Sequence, residues 1–358
     1  MRVRVPITRL ALLTVLVACT YELSPTAPPE QGDEPLPGDA EDVGERAPEV
    51  DVTLKIDWLE VADAPLARFE EQSAVVGGQL YVIGGYTDGS VIPKTFEADV
   101  YDPVANTWEQ LPDMPRPITH AGISAHGADI YLAGGVVGSD DPADQRKTSA
   151  TTEVWRFDTE SLEWSEGTPL PIPRGAGALA VLGDTLHYFG GTGEDRQQEV
   201  GDHWQLDLND PGEWLERAPL PNPANHLAGV VAGGSIYAVG GQHGHNETLE
   251  TQRTVQVYDL DFDGWYEVAP LPQSLGHISN STFELDDRIV VVGGETAFGS
   301  FIDEVLVYDP ARDLWTNATP FPVAQNSMMG GVISGDLFLT GGSERALTTM
   351  KGVVEDTP

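Results

Sequence analysis

Cysteine and basic residues are scarce in this chain of 358 residues. It has one Cys and only 19 Lys plus Arg against 57 Asp plus Glu, which gives a formal net charge of −38. A single thiol cannot form an intrachain disulfide, a Cys-rich zinc site or a redox pair, so packing must hold the fold. Nucleic-acid binding is excluded, because such a chain repels phosphate backbones and has no Lys/Arg run. We expect partners that are neutral, cationic or metal-bearing.

The N-terminal apolar run, residues 10–18, is too short to cross a bilayer as a helix. It follows basic residues and ends at Cys19, an order typical of an export signal over residues 1–18. Residues 16–19 resemble the lipobox of bacterial lipoproteins. The resemblance implies that Cys19 carries lipid and that the chain is an outer-membrane lipoprotein of the cell envelope, facing the periplasm or the surface. An ordinary signal peptide with an incidental Cys is the alternative.

Residues 19–50 predict a tether. Between residues 20 and 50 the sequence holds nine acids, one base and six prolines. Little apolar surface and much like charge leave nothing to offset the entropy cost of ordering. We therefore expect an acidic, Pro-rich, disordered segment that holds a folded domain, residues 51–358, away from the lipid.

The folded part repeats six times with a period near fifty residues. Each unit has an apolar run that ends in a pair of glycines, whose first members are Gly84, Gly134, Gly190, Gly240, Gly293 and Gly341. A tryptophan stands 26 to 28 residues before each pair, at Trp58, Trp108, Trp164, Trp214, Trp265 and Trp315. In five units an aromatic residue or Leu followed by Asp comes after the glycines.

Each unit contains four short runs separated by turn residues, a pattern that predicts a four-stranded antiparallel meander and no helix. The glycine pair, the Tyr-Asp pair and the Trp resemble kelch repeats, which implies an all-β, six-bladed kelch-type β-propeller. After the last glycine pair the chain has room for one more strand, whereas residues 52–61 form a surplus strand before the first unit. We expect that N-terminal strand to complete the last blade and close the ring.

Ligand binding is expected on the face that carries the interblade segments and the loops after the glycine pairs. The candidate ligand-binding residues on the interblade segments are Arg68, Arg116, Arg174, His226, His277 and Asn326. Guanidinium groups near the axis would suit a carboxylate. An arginine that ties neighbouring blades together is the alternative interpretation.

Two groups of residues are candidates for a metal. Asp195, Glu199 and His203 are spaced four apart and resemble, with the acids in reversed order, the iron site of plant specifier proteins, which are kelch propellers. His243 and His245 stand on one loop and have donor atoms that suit a metal. Solvated loop histidines are the alternative, and no cofactor is expected. The copper cofactor of kelch oxidases needs a Cys inside the propeller, where this chain has none.

An enzyme is the alternative to a binding module. Residues 293–297 resemble a segment of bacterial sialic-acid mutarotases, which are six-bladed kelch enzymes. That resemblance implies acid–base work on a sugar by a carboxylate, Glu295 or Glu194, and an arginine, Arg174 or Arg68. Our first interpretation remains a monomeric, lipid-anchored propeller that binds a protein, peptide or glycan at the envelope and meets the membrane only through its lipid.

Overall fold

The computed structural model describes residues 52–87, 95–138, 148–245, 248–343 and 347–355, and every regular element in these ranges is a β-strand. The strands form six large sheets that follow one another along the chain as the blades of a β-propeller. Each has four antiparallel strands, and the fifth blade has an additional parallel strand at its outer edge. This confirms the predicted all-β, six-bladed fold. No helix in the described part of the chain is both long and apolar enough to cross a membrane. The predicted signal, Cys19 and the tether lie outside the described residues.

The strands of each blade are given from the centre of the ring outward. Blade one has Gln72–Val76, Gln79–Ile83, Ala98–Asp102 and Thr107–Gln110, and blade two has Gly122–His126, Asp129–Ala133, Val154–Asp158 and Glu163–Glu166. Blade three has Ala178–Leu182, Thr185–Phe189, His203–Asp207 and Leu215–Arg217, and blade four has Ala228–Ala232, Ser235–Val239, Val255–Asp259 and Gly264–Glu267. Blade five has Thr282–Leu285, Arg288–Val292, Val305–Asp309 and Leu314–Ala318, and blade six has Met328–Ile333, Asp336–Gly341, Thr349–Val354 and Ile56–Val61.

One end of the ring, which we call the loop face, carries the interblade segments and the loops that follow the glycine pairs. Four two-stranded ladders stand on it: Arg68–Phe69 with Tyr86–Thr87, Val136–Gly138 with Thr148–Ala150, Gln242–His243 with Glu250–Thr251, and Glu295–Ala297 with Ser300–Phe301. The first ladder joins an interblade segment to the loop after a glycine pair, and the other three join the two ends of one such loop.

The N-terminal segment closes the ring. Ile56–Val61 pairs antiparallel with Thr349–Val354 and supplies the outer strand of blade six, as predicted. The segment before it differs from the prediction, because Val52–Leu54 pairs in parallel with Leu314–Ala318 of blade five. The chain therefore crosses the outer edges of two blades, and backbone hydrogen bonds join both blades to the N-terminal segment.

The blades pack face to face around the axis, and each face buries apolar side chains against its neighbour. At the junction of blades six and one, Leu80 and Tyr101 pack with Met329 and Phe338, and all four are almost fully buried. Val82 and Ile333 are buried in the same cluster. The ring is therefore held shut by both the N-terminal strand and a packed core.

The repeated tryptophans join successive blades. In five blades the indole N–H donates to a backbone carbonyl 46 to 52 residues earlier, as from Trp108 to Ala62 at 3.0 Å and from Trp315 to Ala269 at 2.8 Å. Each acceptor lies where the chain leaves the preceding blade. Trp58 finds no such acceptor among the described residues and instead packs edge-on against Phe321, with ring centroids 4.9 Å apart. In five blades the tryptophan thus connects its blade to the preceding one through a backbone acceptor.

Two buried histidines form a polar pair inside blade three. Nδ1 of His187 lies 2.9 Å from Nε2 of His203, and Nδ1 of His203 lies 3.2 Å from the carbonyl oxygen of Ala218. Because that carbonyl only accepts, the proton of His203 is on Nδ1, and its Nε2 accepts from His187. Burial lowers the pKa of His187 to about 3, and burial also lowers the pKa of His203 to about 4. Both rings are therefore neutral in the folded protein near neutral pH.

Stability is expected to fall as the pH drops below about 6.5. In that range each of the two histidines takes up a proton in the unfolded chain but not in the folded one, at a cost of up to about 2 kcal/mol per histidine at pH of about 5. Urea unfolding at several pH values measures this. The double variant His187→Phe/His203→Val should lose less stability than the unaltered chain over the same range, whereas His126→Asn, at an exposed site, should behave like the unaltered chain. An equal or steeper loss in the double variant contradicts the assignment.

Candidate functional site

The glycine pairs fix the chain where it reaches the axis. In five junctions the N–H of the second glycine donates to a carbonyl of the next interblade segment, at 2.8 to 3.2 Å. The first glycine lies so close to that segment that a Cβ on Gly84 would stand 2.4 Å from the carbonyl oxygen of Ile118, and one on Gly293 would stand 2.4 Å from that of Gln325. Both glycines also have positive φ. Only Gly satisfies both conditions without strain.

Two residues after each of these carbonyls, and two residues after the equivalent Arg68, the chain adopts the left-handed conformation at the axis. The six residues, which we call the axial ring, are Glu70, His120, Ala176, His226, His277 and Ser327, with φ between 49 and 55°. Backbone hydrogen bonds link neighbours in the ring, from Ala176 N to His120 O, from His226 N to Ala176 O and from Ser327 N to His277 O. Positive φ is uncommon outside glycine, so its repetition in all six units shows that tertiary contacts impose it. The propeller therefore presents six side chains from equivalent positions.

A cavity of about 820 Å³ opens above the axial ring on the loop face. Its lining includes four aromatic residues, the charged and imidazole groups of the ring, and polar loop residues, namely Phe69, Glu70, Tyr86, His120, Thr148, Asp195, Arg196, Gln197, His226, Gln242, His245, Leu249, His277, Glu295, Phe298, Gly299, Phe301, Asn326, Ser327 and Ser343. Below the ring is a void of about 30 Å³, also lined by ring residues. The ring thus separates the cavity from the interior of the propeller.

A network of carboxylates and imidazoles crosses the axis. Nε2 of His277 lies 3.3 Å from Oε1 of Glu70, and Nδ1 lies 2.7 Å from Oε2 of Glu295. The other oxygen of Glu70 lies 3.0 Å from Nε2 of His120, and Oε1 of Glu295 accepts the N–H of Gly299 at 2.6 Å. Glu295 is 3% exposed, so these contacts replace water around its charge.

The network sets the protonation of its members. Burial works against the charge of His277, but hydrogen bonds and attraction to Glu295 and Glu70 raise its pKa to about 9. Burial alone would raise the pKa of Glu70, but His120 and His277 hold it well below the usual range. Burial, with His277 and His120 nearby, lowers the pKa of His226 well below the usual range. The ring therefore combines an ionised carboxylate with a charged and a neutral imidazole.

Three of the candidate ligand-binding residues line the cavity, namely His226, His277 and Asn326. The structure does not bring the three arginines there. Arg68 is buried and lies 2.6 Å from Asp99 and 4.0 Å from Glu71. Arg174 pairs with Asp202, and Arg116 pairs with Glu153, in each case at the entry to the third strand of the same blade. Each arginine thus anchors its interblade segment to the blade that the segment enters, and these ion pairs do not join neighbouring blades.

The five metal candidates are not brought to one point. Asp195 and His245 line the cavity, whereas Glu199 accepts from Asn225 Nδ2 at 2.7 Å and from the N–H of Gly244 at 2.9 Å. His203 is the buried partner of His187, and Nε2 of His243 lies 2.8 Å from the carbonyl oxygen of Pro223. The five side chains therefore do not converge on a common metal position.

Of the catalytic candidates, Glu295 lies in the cavity and Glu194 is exposed outside it. Sequence reasoning missed Glu70 and His120, although a signal was present. The axial-ring residue stands 14 residues before the first glycine of its pair in five units and 16 before it in the unit of His277. Alignment of the units at the offset of 14 would have shown Glu70 and His120 in the position of His226.

Comparisons with known proteins agree with this architecture. The KLHDC2/KLHL20/DRC7 Kelch-repeats domain matches residues 120–342, and the Kelch motif matches residues 72–115. A solved structure titled "Structure of YjhT" superposes with a TM-score of 0.65 at 12% identity, covering 82% of this chain and 96% of that one, which shows the fold alone.

Curated relatives are similar over most of this chain. A kelch repeat-containing protein of Arabidopsis thaliana is 28% identical over 80% of this chain and 71% of its own length. Kelch-like protein 23 of Homo sapiens is 25% identical over 74% of this chain but only 43% of its own length, and Kelch-like protein terF of Aspergillus terreus is 25% identical over 70% of this chain and 54% of its own length. With its family match over residues 120–342 and its six glycine-paired blades, the chain belongs to the kelch-repeat family.

Proposed function

We propose that this propeller binds a partner protein through the cavity on its loop face. Kelch propellers commonly act as protein-interaction modules, which supports the proposal. The observation that carries it is the cavity of about 820 Å³, with aromatic side chains around a polar base. A cavity of this size accommodates several side chains of an extended segment.

The aromatic residues of the cavity suit a protein partner. Phe69 and Tyr86 contact each other with ring centroids 5.4 Å apart. Phe298 stands at the tip of the Glu295–Phe301 hairpin and is 59% exposed. Exposed aromatic side chains beside a cavity gain most when a partner covers them, and aromatic residues dominate binding energy at interfaces.

The charges favour a segment that is neutral or basic. Three carboxylates, Glu70, Asp195 and Glu295, line the cavity among the described residues, against one arginine, Arg196. The chain as a whole has a formal net charge of −38, which repels acidic partners and attracts basic ones over several ångströms. We therefore propose an apolar side chain against the aromatic residues and a basic or hydrogen-donating group at the exposed carboxylate of Asp195.

We further propose that the propeller works at the outer membrane of a cell envelope, held there by lipid on Cys19. The lipobox-like residues 16–19 and the acidic, Pro-rich residues 20–50 support this. A long, charged tether keeps the propeller clear of the bilayer and leaves the loop face free to meet a partner.

An enzyme of the sugar-mutarotase type is a second candidate. The observation in its favour is the contact between Glu295 and His277 inside the cavity, at 2.7 Å, which joins a carboxylate and an imidazole suited to acid–base work. Arg174 and Arg68 are engaged in ion pairs, so the guanidinium available to a sugar is that of Arg196.

Replacement of Phe298 by Asp should strongly reduce partner capture. A photo-crosslinking residue at position 298 in the full chain is expected to trap a protein of the native envelope. With the crosslinking residue at position 301 instead, Phe298→Asp should reduce the trapping by about tenfold or more. The matched control is Phe262, which is 83% exposed on the opposite face of the ring. Equal trapping from positions 298 and 262, or capture of glycan alone, contradicts a protein-binding loop face.

Replacement of Cys19 by Ser should release the protein from the membrane fraction. Loss of the acyl chains removes roughly 0.8 kcal/mol for each methylene that the bilayer had buried. Fractionation of cells, with mass spectrometry of the N-terminus, measures the change, and Ser24→Ala serves as a control in the tether. A Cys19→Ser protein that stays in the membrane fraction disproves lipid anchoring.

If the protein is a sugar mutarotase, Glu295→Gln should abolish its interconversion of sugar anomers, because the amide can neither take up nor supply the proton. Exchange of anomeric signals in NMR spectra of several free sugars measures the activity. Glu194→Gln, at an exposed position outside the cavity, should leave any such activity unchanged. No exchange above the uncatalysed rate with the unaltered chain removes this candidate.

A further inference from the structure

The geometry of the axial ring points to a site for one divalent transition-metal ion. We propose that Glu70, His226 and His277 bind it, each with one atom. The site goes beyond the proposed partner binding, since it lies at the base of the cavity and does not depend on the aromatic residues above. None of the three belongs to the two sequence groups that suggested a metal.

The three residues are close enough to share an ion. One ligand atom from each lies within 4.8 Å of the other two. Ligand atoms around a zinc ion stand about 3.3 Å apart, so the three must approach one another by up to about 1.5 Å. We assign this approach to side-chain torsions, because hydrogen bonds between blades fix the ring backbone. His226 and His277 are already in contact, with ring centroids 4.3 Å apart and ring planes inclined by 41°.

The hydrogen bonds of the two imidazoles direct one nitrogen of each to the axis. Nδ1 of His277 lies 2.7 Å from Oε2 of Glu295, and Nε2 lies on the side of Glu70, 3.3 Å from its oxygen. Nδ1 of His226 contacts Oδ1 of Asn225. That amide oxygen must face the ring, because the amide nitrogen of Asn225 donates to Glu199. Both imidazoles therefore direct Nε2 to the axis, and His277 releases the Nε2 proton that faces Glu70 when it binds a metal.

Carboxylates behind the ligands complete the arrangement. A metal-binding histidine generally donates its second N–H to a carboxylate or an amide oxygen, which fixes its orientation and raises its basicity. His277 has Glu295 in this role, and His226 has Asn225, which Glu199 holds in turn. His120 lies 3.0 Å from the second oxygen of Glu70 and orients that carboxylate. The residues behind the three proposed ligands thus orient them, as hydrogen-bonded groups behind metal ligands do in known sites.

The donor set selects the class of metal. Two imidazole nitrogens and one carboxylate oxygen suit Zn²⁺ and its first-row neighbours, whereas Ca²⁺ and Mg²⁺ prefer oxygen alone. Three protein ligands leave a fourth position, and the ring has free volume on both sides, in the cavity and in the void of about 30 Å³ beneath it. A metal here would be reachable from the loop face.

Calorimetric titration with ZnCl₂ tests the site on the untagged full chain after treatment with a chelator. We expect one Zn²⁺ per chain with a Kd below about 1 µM, no displacement by excess Ca²⁺, and visible absorption bands of four-coordinate Co²⁺ when cobalt replaces zinc. The variants His226→Asn and His277→Gln should each weaken Zn²⁺ binding by about a hundredfold or more. His126→Asn, which removes an exposed histidine beside Asp184, should bind like the unaltered chain.

Glu70→Gln, which keeps the shape of the side chain, provides a further variant whose folding is checked by circular dichroism. It should also lose Zn²⁺ affinity and, unlike the unaltered chain, show no rise in thermal midpoint with Zn²⁺. The proposal is wrong if the unaltered chain takes up no stoichiometric Zn²⁺, or if folded variants at positions 70, 226 and 277 bind as tightly as it does. Partner capture plays no part in these measurements, so either proposal can fail alone.

Discussion

The hydrogen bond from the second glycine of each pair to the next interblade carbonyl is the contact on which the centre of the propeller depends. It recurs in five junctions at 2.8 to 3.2 Å and joins neighbouring blades where they come closest to the axis. The first glycine permits the approach, because a side chain there would overlap the same carbonyl. Two residues later the chain turns into the left-handed conformation and presents one side chain to the axis.

Because of this hydrogen bond, the backbone of the axial ring does not depend on which side chains the ring carries. The backbone at the six ring positions is nearly the same, yet the side chains are Glu, His, Ala, His, His and Ser. Equivalent positions around an axis bring together residues that are far apart in sequence, such as Glu70 and His277. Buried carboxylates and imidazoles at such short distances share protons, which explains why the pKa of Glu70 falls while that of His277 rises to about 9.

The fold could be predicted almost completely, and the site only in part. His226, His277, Asn326 and Glu295 were expected on the loop face and line the cavity. Arg68 and Arg174 were expected there as well, but Asp99 and Asp202 hold them inside their blades. A long side chain in an interblade segment can turn toward the axis or toward the third strand, and only the position of its acidic partner decides which.

The sequence alone determined the number of blades, the closure by the N-terminal strand and the face on which loops gather. Glycine pairs and tryptophans indicate these features because their N–H groups donate to backbone carbonyls at equivalent places in five of the six units. The tertiary structure alone decided which side chains meet at the axis and how they share charge. Those contacts join different blades, at distances that depend on the radius of the closed ring, and no local pattern in one unit records them.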